Sequence, residues 1–99
     1  MSMLTNILAK LRAHEAELQA CGVMHVAVFG SVVRAENRDD SDVDLLVDLS
    51  PEVATDFFAY AGIAADLEGI IGQYVDVARR DRLRAHVRPS AEREAVYAF

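Results

Sequence analysis

The sequence has 99 residues, 53% of them hydrophobic, which suffices for one packed core and is too short for two. We therefore expect a single domain over residues 1–99. The formal charge is −6, from sixteen acidic and ten basic residues, and a field of this sign repels nucleic acid. A DNA- or RNA-binding module is disfavoured, and no nucleic acid template is expected.

Cysteine content and hydropathy bear on the compartment. Cys21 is the only cysteine, so the chain cannot form an internal disulfide, and a reducing compartment is the natural expectation. The first ten residues lack the basic and then apolar pattern of a signal peptide. No apolar run reaches the about eighteen residues that a membrane span needs. These features predict a soluble, cytoplasmic protein that does not contact the membrane.

The N-terminal third predicts a helix and then a strand. Apolar residues between Leu4 and Cys21 recur at helical spacing, which indicates an amphipathic helix that ends at Gly22. His25 to Phe29 is rich in β-branched and aromatic residues and predicts a strand buried on both faces.

A polar segment follows this strand. Ser31 comes directly after Gly30 and has the residue type of an N-cap, so we expect a short helix from Val32 to about Glu36. Asn37 to Ser41 is wholly polar and predicts a loop.

The second half predicts two more strands and two more helices. Asp42 to Leu49 and Tyr74 to Ala78 are the strands, Pro51 suits the first turn of a helix between them, and Ala91 to Ala98 is a last helix. Residues expected on the buried side of the middle helix are Phe57, Phe58, Ala61, Ala64, Ala65, Leu67 and Ile71. This order predicts an α/β (α+β) fold, a small mixed sheet of three to four strands covered by helices.

Gly30-Ser31 lies where a strand runs into a helix, which is one kind of place where proteins bind phosphate. Glycine lets an anion approach the backbone closely, and the serine hydroxyl adds a hydrogen-bond donor. The same dipeptide is common in ordinary turns, so the pair by itself does not decide between the two interpretations.

Asp42 and Asp44 are two residues apart at the start of a predicted strand, so their carboxylates point the same way. Two like charges held this close favour a cation between them, and a hard divalent ion such as Mg²⁺ takes oxygen ligands. The alternative is that Asp39, Asp40 and Asp42 only solvate a loop. Against it, Asp44 runs directly into a strongly apolar segment.

Asp76 interrupts an otherwise apolar strand, where a charge is costly unless it is paired or bound to a metal. If this strand neighbours that of Asp42 and Asp44, three carboxylates meet at one end of the sheet. The alternative is a structural salt bridge from Asp76 to Arg79 or Arg80.

With ten residues between Gly30-Ser31 and Asp42-Val43-Asp44, and with a later strand carboxylate at Asp76, the chain resembles the DNA polymerase β nucleotidyltransferase superfamily. The resemblance is closest to the minimal nucleotidyltransferases that act as antitoxins to HEPN toxins. It extends from the first helix to the closing Glu94-Ala95-Val96-Tyr97.

The resemblance implies a nucleotidyltransferase core and a site for it. Asp42 and Asp44 would hold Mg²⁺ on the triphosphate of ATP, and Asp76 would help bind a second metal and take the proton of the attacking hydroxyl. Gly30-Ser31 would orient the β and γ phosphates. Arg34 would add a phosphate contact, or is simply a solvated helix residue.

The resemblance also implies a partner, because the chain has no segment left to hold an acceptor. The expected acceptor is a HEPN-domain toxin, a helical ribonuclease that is inactivated when AMP is placed on a tyrosine or similar hydroxyl. The basic segment from Arg79 to Arg93, with Tyr97 and Phe99, is either a contact for that partner or an ordinary terminal helix. Two alternatives remain open: a free-standing small-molecule nucleotidyltransferase and a non-catalytic antitoxin that acts by binding alone.

Overall fold

A computed structural model describes residues 2–38 and 42–99, and its centre is a four-stranded sheet. The strands are β1 (Val23–Phe29), β2 (Val43–Leu49), β3 (Val75–Arg79) and β4 (Val96–Tyr97), in the order β3-β2-β1-β4. β1 is antiparallel to both β2 and β4, whereas β2 and β3 are parallel. The predicted mixed sheet of three to four strands is confirmed.

The N-terminal helix is interrupted where the sequence predicts one continuous helix. It forms α1 (Met3–Ala13) and α2 (Glu15–Ala20), because His14 leaves the helical region at φ −109° and ψ 16°. The His14 Nδ1 atom lies 2.9 Å from the carbonyl oxygen of Lys10. A side chain that bonds to the backbone of the preceding turn competes with regular helix geometry.

One face of the sheet is the hydrophobic core. Buried residues of α1 and of the later helix α4 (Phe57–Ile71) pack there with alternate residues of the strands, among them Val43, Leu45 and Val47 of β2. Because side chains alternate across a strand, Asp44, Leu46 and Asp48 lie on the other side. Asp76 shares that side, since it is in register with Asp44. We call the side that carries these four residues the acidic face.

The helix predicted after Pro51 is also divided, and its aromatic residues are not in the core. The short α3 (Pro51–Ala54) precedes α4, and the Asp56 side chain caps α4 by accepting the Ala59 N–H. The buried residues of α4 are Ile63, Leu67 and Ile71, a stripe with a period of four residues. Phe57 and Phe58 are 75% and 86% exposed, and Ala61 and Ala65 are exposed as well, so their predicted burial is wrong.

This difference gives a test within one helix. Leu67→Ala is expected to cost about 2–5 kcal/mol of stability, because Leu67 is fully buried and its truncation leaves a cavity. Phe58→Ala is expected to change the free energy of unfolding by less than about 0.5 kcal/mol, because the ring is mostly in solvent. Urea unfolding of both variants measures the two values. Comparable losses would contradict the burial described above.

The last predicted helix, Ala91 to Ala98, is wrong in its second half. The helix is α5 (Arg88–Glu94), and the chain then extends into β4. β4 pairs with the outer edge of β1, and the Ala98 N–H donates to the Val26 carbonyl at 2.9 Å. An unpaired sheet edge offers hydrogen bonds that override the local helical preference of the segment.

The short helix predicted for Val32 to Glu36 is wrong as well. The chain forms a 3₁₀ turn over Gly30–Val32, and Ser31 lies inside the turn instead of capping a helix. Ala35 then adopts a left-handed φ of 57°, which ends helical continuation. Of the loop predicted from Asn37 to Ser41, residues 39–41, and Asp39 and Asp40 with them, lie outside the described residues.

Within the described ranges, the helices are all too short or too polar to traverse a lipid bilayer.

Candidate functional site

Asp44 and Asp76 face each other across two neighbouring strands. They are Cα partners in the parallel register of β2 and β3, and such strands lie about 4.8 Å apart. Asp42 comes directly before β2, two residues from Asp44. The condition stated for Asp76, that its strand neighbours β2, is therefore met.

The electrostatics show that Asp44 lies among negative charges. Burial raises its pKa above the ordinary value, and the carboxylates of Asp76 and Asp42 raise it further, while Arg34 acts in the opposite direction. Asp42 and Asp76 themselves are exposed. A half-buried carboxylate with two acidic neighbours favours a cation at this position.

This electrostatic arrangement predicts a stability effect. Because folding raises the pKa of Asp44, its ionised form opposes folding above the folded pKa, and the penalty vanishes below the unfolded pKa. In metal-free buffer, Asp44→Asn should therefore raise the melting temperature at neutral pH, because the substitution removes this penalty. The gain should disappear at about pH 3. Calorimetry at both pH values tests this, and an unchanged melting temperature at neutral pH would contradict it.

Gly30 lies beside the Asp44 carboxylate. β1 ends at Phe29, which is in register with Asp44, and Gly30 then turns at a φ of 78°. A Cβ at Gly30 would stand 3.0 Å from the Asp44 Cγ and would overlap its Oδ2 atom. Only glycine combines this conformation with so close an approach. The structure thus brings the Gly30-Ser31 turn to the acid pair.

Arg34 is held by two carboxylates in this structure. Its Nε donates to Glu36 at 2.6 Å, and its Nη1 donates to both oxygens of Glu94 at 2.8 and 2.7 Å. The Gly30 N–H donates to the same Glu94 carboxylate at 2.5 Å. These contacts raise the pKa of Arg34 and hold the pKa of Glu94 below its ordinary range, chiefly through the Arg34 hydrogen bond.

Sequence reasoning missed Glu94 as a residue of this site. Glu94 is 64 positions from Gly30 and 60 from Arg34, so no local spacing connects them. A predicted helix that continued to Ala98 also gave no reason to bring its middle to the sheet. Glu94 is the last residue of α5, directly before the segment that pairs with β1 as β4.

The alternative interpretation of Asp76, a salt bridge to Arg79 or Arg80, does not match the ion pairs of the structure. Arg79 pairs with Asp81 at 3.1 Å, and Arg80 pairs with Asp48 at 2.9 Å and with Glu92 at 3.6 Å. Arg80 thereby links α5 to the acidic face. Asp76 is exposed at the sheet surface. The sequence argument assumed that the charge of Asp76 is costly because its strand is buried, and that assumption was wrong.

The oxygen donors of these carboxylates suit Mg²⁺. Between residues 2 and 38 and between 42 and 99, no three side chains of His, Cys, Asp or Glu form a ready ligand group. Asp42, Asp44 and Asp76 by themselves therefore do not form such a three-ligand group. Mg²⁺ is commonly held by only one or two carboxylates, with substrate phosphates and water completing the shell. Paired carboxylates beside an anion-accepting turn fit that pattern.

Known proteins are similar to this chain over nearly its whole length. The model of the family described as "Nucleotidyltransferase domain" matches residues 8–98. The protein adenylyltransferase MntA of Thermococcus cleftensis is 38% identical over 100 residues, which cover 98% of this chain and 99% of the relative.

Two solved structures are also similar. One, described as a candidate minimal nucleotidyltransferase, is 33% identical with a TM-score of 0.78, and the match covers 97% of this chain and 95% of that one. The other is a toxin–antitoxin crystal structure with AMP-PNP, with a TM-score of 0.68 and coverage of 89% and 72%. At 15% identity it shows likeness of fold alone. The chain therefore belongs to the nucleotidyltransferase domain family and is a nucleotidyltransferase of the minimal type.

Proposed function

We propose that this protein transfers AMP from ATP to a hydroxyl, most simply a tyrosine, of a HEPN-domain ribonuclease toxin and so acts as an antitoxin. The observation that carries the proposal is the register of Asp44 with Asp76 directly beside the Gly30 turn. The full-length similarity to a relative named as a protein adenylyltransferase supports AMP as the group and a protein as the acceptor.

Each residue of the site has a distinct role in the proposed reaction. Mg²⁺, held by Asp42 and Asp44 together with phosphate oxygens, and a second ion at Asp76 would neutralise charge on the triphosphate. Gly30 and Ser31 orient the β and γ phosphates, and Arg34 contacts them. The acceptor oxygen forms a bond to the α phosphorus, the bond from that phosphorus to the bridging oxygen breaks, and pyrophosphate leaves. The acceptor proton passes to the Asp76 carboxylate.

Positioning and charge neutralisation supply most of the acceleration in such a transfer, so few residues suffice. The exposure of Asp42 and Asp76 supports an acceptor that approaches from solvent.

We also propose that residues 1–99 form one minimal domain. Its two ends pack together, since the Arg12 side chain of α1 donates to the carbonyls of Ala98 and Tyr97.

Label transfer tests the proposal. The chain is incubated with a HEPN-domain toxin as acceptor, with Mg²⁺ and with ATP labelled at the α or the γ phosphate. The α-phosphate label should become covalently attached to the toxin. The γ-phosphate label should not, because it leaves with pyrophosphate. Mass spectrometry then locates the acceptor residue. Transfer of the γ label instead would indicate a kinase reaction and contradict the proposal.

The same assay separates the two alternatives. Adenylylated small-molecule product without any partner would indicate a free-standing small-molecule transferase. Neutralisation of the toxin by an Asp42→Ala, Asp44→Ala double variant, with no label transferred, would indicate an antitoxin that acts by binding alone. We expect neither result.

A further inference from the structure

Glu94 occupies the hydrogen-bond donors of the Gly30 turn. One oxygen of its carboxylate accepts from the Gly30 N–H and from Arg34, and the other oxygen accepts a second contact from Arg34. A backbone amide and a guanidinium that converge on two oxygens of one anion are the donors that proteins use for phosphate as well as carboxylate. Glu94 thus makes the contacts that a phosphate group would make.

These donors are the ones that the proposed function assigns to the triphosphate. The Gly30 N–H has a single proton, so it cannot serve Glu94 and a phosphate oxygen at full strength together. Glu94 also brings a negative charge close to Asp44, since both carboxylates lie against Gly30. A triphosphate that approached the filled position would meet this repulsion in addition to the occupied donors.

We propose that Glu94 is an internal competitor for the triphosphate: it fills the Gly30 and Arg34 donors in the nucleotide-free protein and leaves them when nucleotide binds. This rests on the proposed function, because it concerns the same phosphate donors. Glu94 is the last residue of α5 and stands two residues before β4.

Binding of magnesium tripolyphosphate, measured by calorimetry, tests the competition without requiring any transfer reaction. Glu94→Gln keeps the shape of the side chain and removes its charge, and we expect it to bind about tenfold more tightly than the wild type, because charged hydrogen bonds are about twice as strong as neutral ones. Glu94→Asp keeps the charge but shortens the reach, and an intermediate affinity is expected.

Glu92→Gln is the matched control. Glu92 lies on the same helix, where it pairs with Arg88 and Arg80 and not with the Gly30 turn. Its substitution should leave the affinity within about twofold. Equal or weaker binding by Glu94→Gln would overturn the competition and would make Glu94 a residue that positions Arg34.

The Gly30 amide resonance in NMR gives a second readout. In the free wild type its proton should lie downfield because of the carboxylate contact, and it should move upfield in Glu94→Gln. An unchanged resonance would also overturn the inference.

Failure of this inference is distinct from failure of the proposed function. Label transfer to the toxin can persist without competition by Glu94, and competition for tripolyphosphate can be seen without any transfer.

Discussion

Asp44→Asn is expected to lower the rate of AMP transfer by about a thousandfold while the protein stays folded. The substitution removes one of two charges that would hold Mg²⁺ on the triphosphate, and metal stabilisation of such a transition state is worth several kcal/mol, or about tenfold in rate per 1.36 kcal/mol. Steady-state label transfer measures the rate. Circular dichroism checks that the variant is folded. The substitution should not destabilise the fold, because it removes repulsion among Asp42, Asp44 and Asp76.

Asp48→Asn is the control for this prediction. Asp48 lies on the same strand and the same face, four residues along, but it pairs with Arg80 instead of facing another carboxylate. The identical chemical change there should alter the rate by less than about threefold, because a partly exposed ion pair contributes at most about 1 kcal/mol. Equal losses in the two variants would mean that general charge on the acidic face, and no specific site, supports transfer.

Gly30→Ala should destabilise the protein by about 3 kcal/mol and reduce transfer strongly. The left-handed φ alone costs an L residue about 1–2 kcal/mol, and a Cβ that overlaps the Asp44 carboxylate adds the cost of moving either the turn or that side chain. Either movement changes the distance between the phosphate-binding turn and the acid pair. Thermal unfolding and label transfer measure the two losses.

Substitutions at two other glycines separate the two contributions to the loss of stability at Gly30, which are the backbone strain and the overlap with Asp44. Gly72 has a φ of 82° but open space around its Cα, so Gly72→Ala should cost only the backbone strain of about 1–2 kcal/mol. Gly62 is an exposed residue of the α4 helix with open space and no unusual φ, so Gly62→Ala should stabilise by about 0.5–1 kcal/mol. Activity should survive in both. If Gly30→Ala costs no more than Gly72→Ala, the close approach to Asp44 is not a constraint.

The central strands could be predicted from sequence because the residues of each segment by themselves favour a buried strand. The run that follows Asp44 has to be buried, and β-branched residues around Asp76 favour a strand of the same kind. Alternation predicted that Asp42 and Asp44 share one side, and the structure places Asp44 on the acidic face, whereas Asp42 lies one residue before β2. The pairing of Asp44 with Asp76 was a conditional inference, which required the two strands to be neighbours, and the parallel register supplies that condition.

The parts that could not be predicted depend on contacts between distant residues. Phe57 and Phe58 have the composition of a core, but the stripe of Ile63, Leu67 and Ile71 already fills the contact between α4 and the sheet. The C-terminal segment has helical composition, but the free edge of β1 makes it a strand. Glu94 reaches the Gly30 turn only as a consequence of that pairing, and a search by sequence spacing cannot find such a residue.

Nucleotide binding with and without magnesium tests the central claim most directly. In calorimetric titrations with a non-hydrolysable ATP analogue, the wild type should bind at least about tenfold more tightly with Mg²⁺ than with a chelator, since carboxylates and phosphates share the ion. Asp44→Asn should lose most of this difference, because it removes a ligand of the ion on the triphosphate, and Asp76→Asn should lose part of it, because it removes the ligand of the second ion. Asp48→Asn should keep the full difference. The account would be contradicted if Asp44→Asn and Asp76→Asn retained the full magnesium dependence of the wild type.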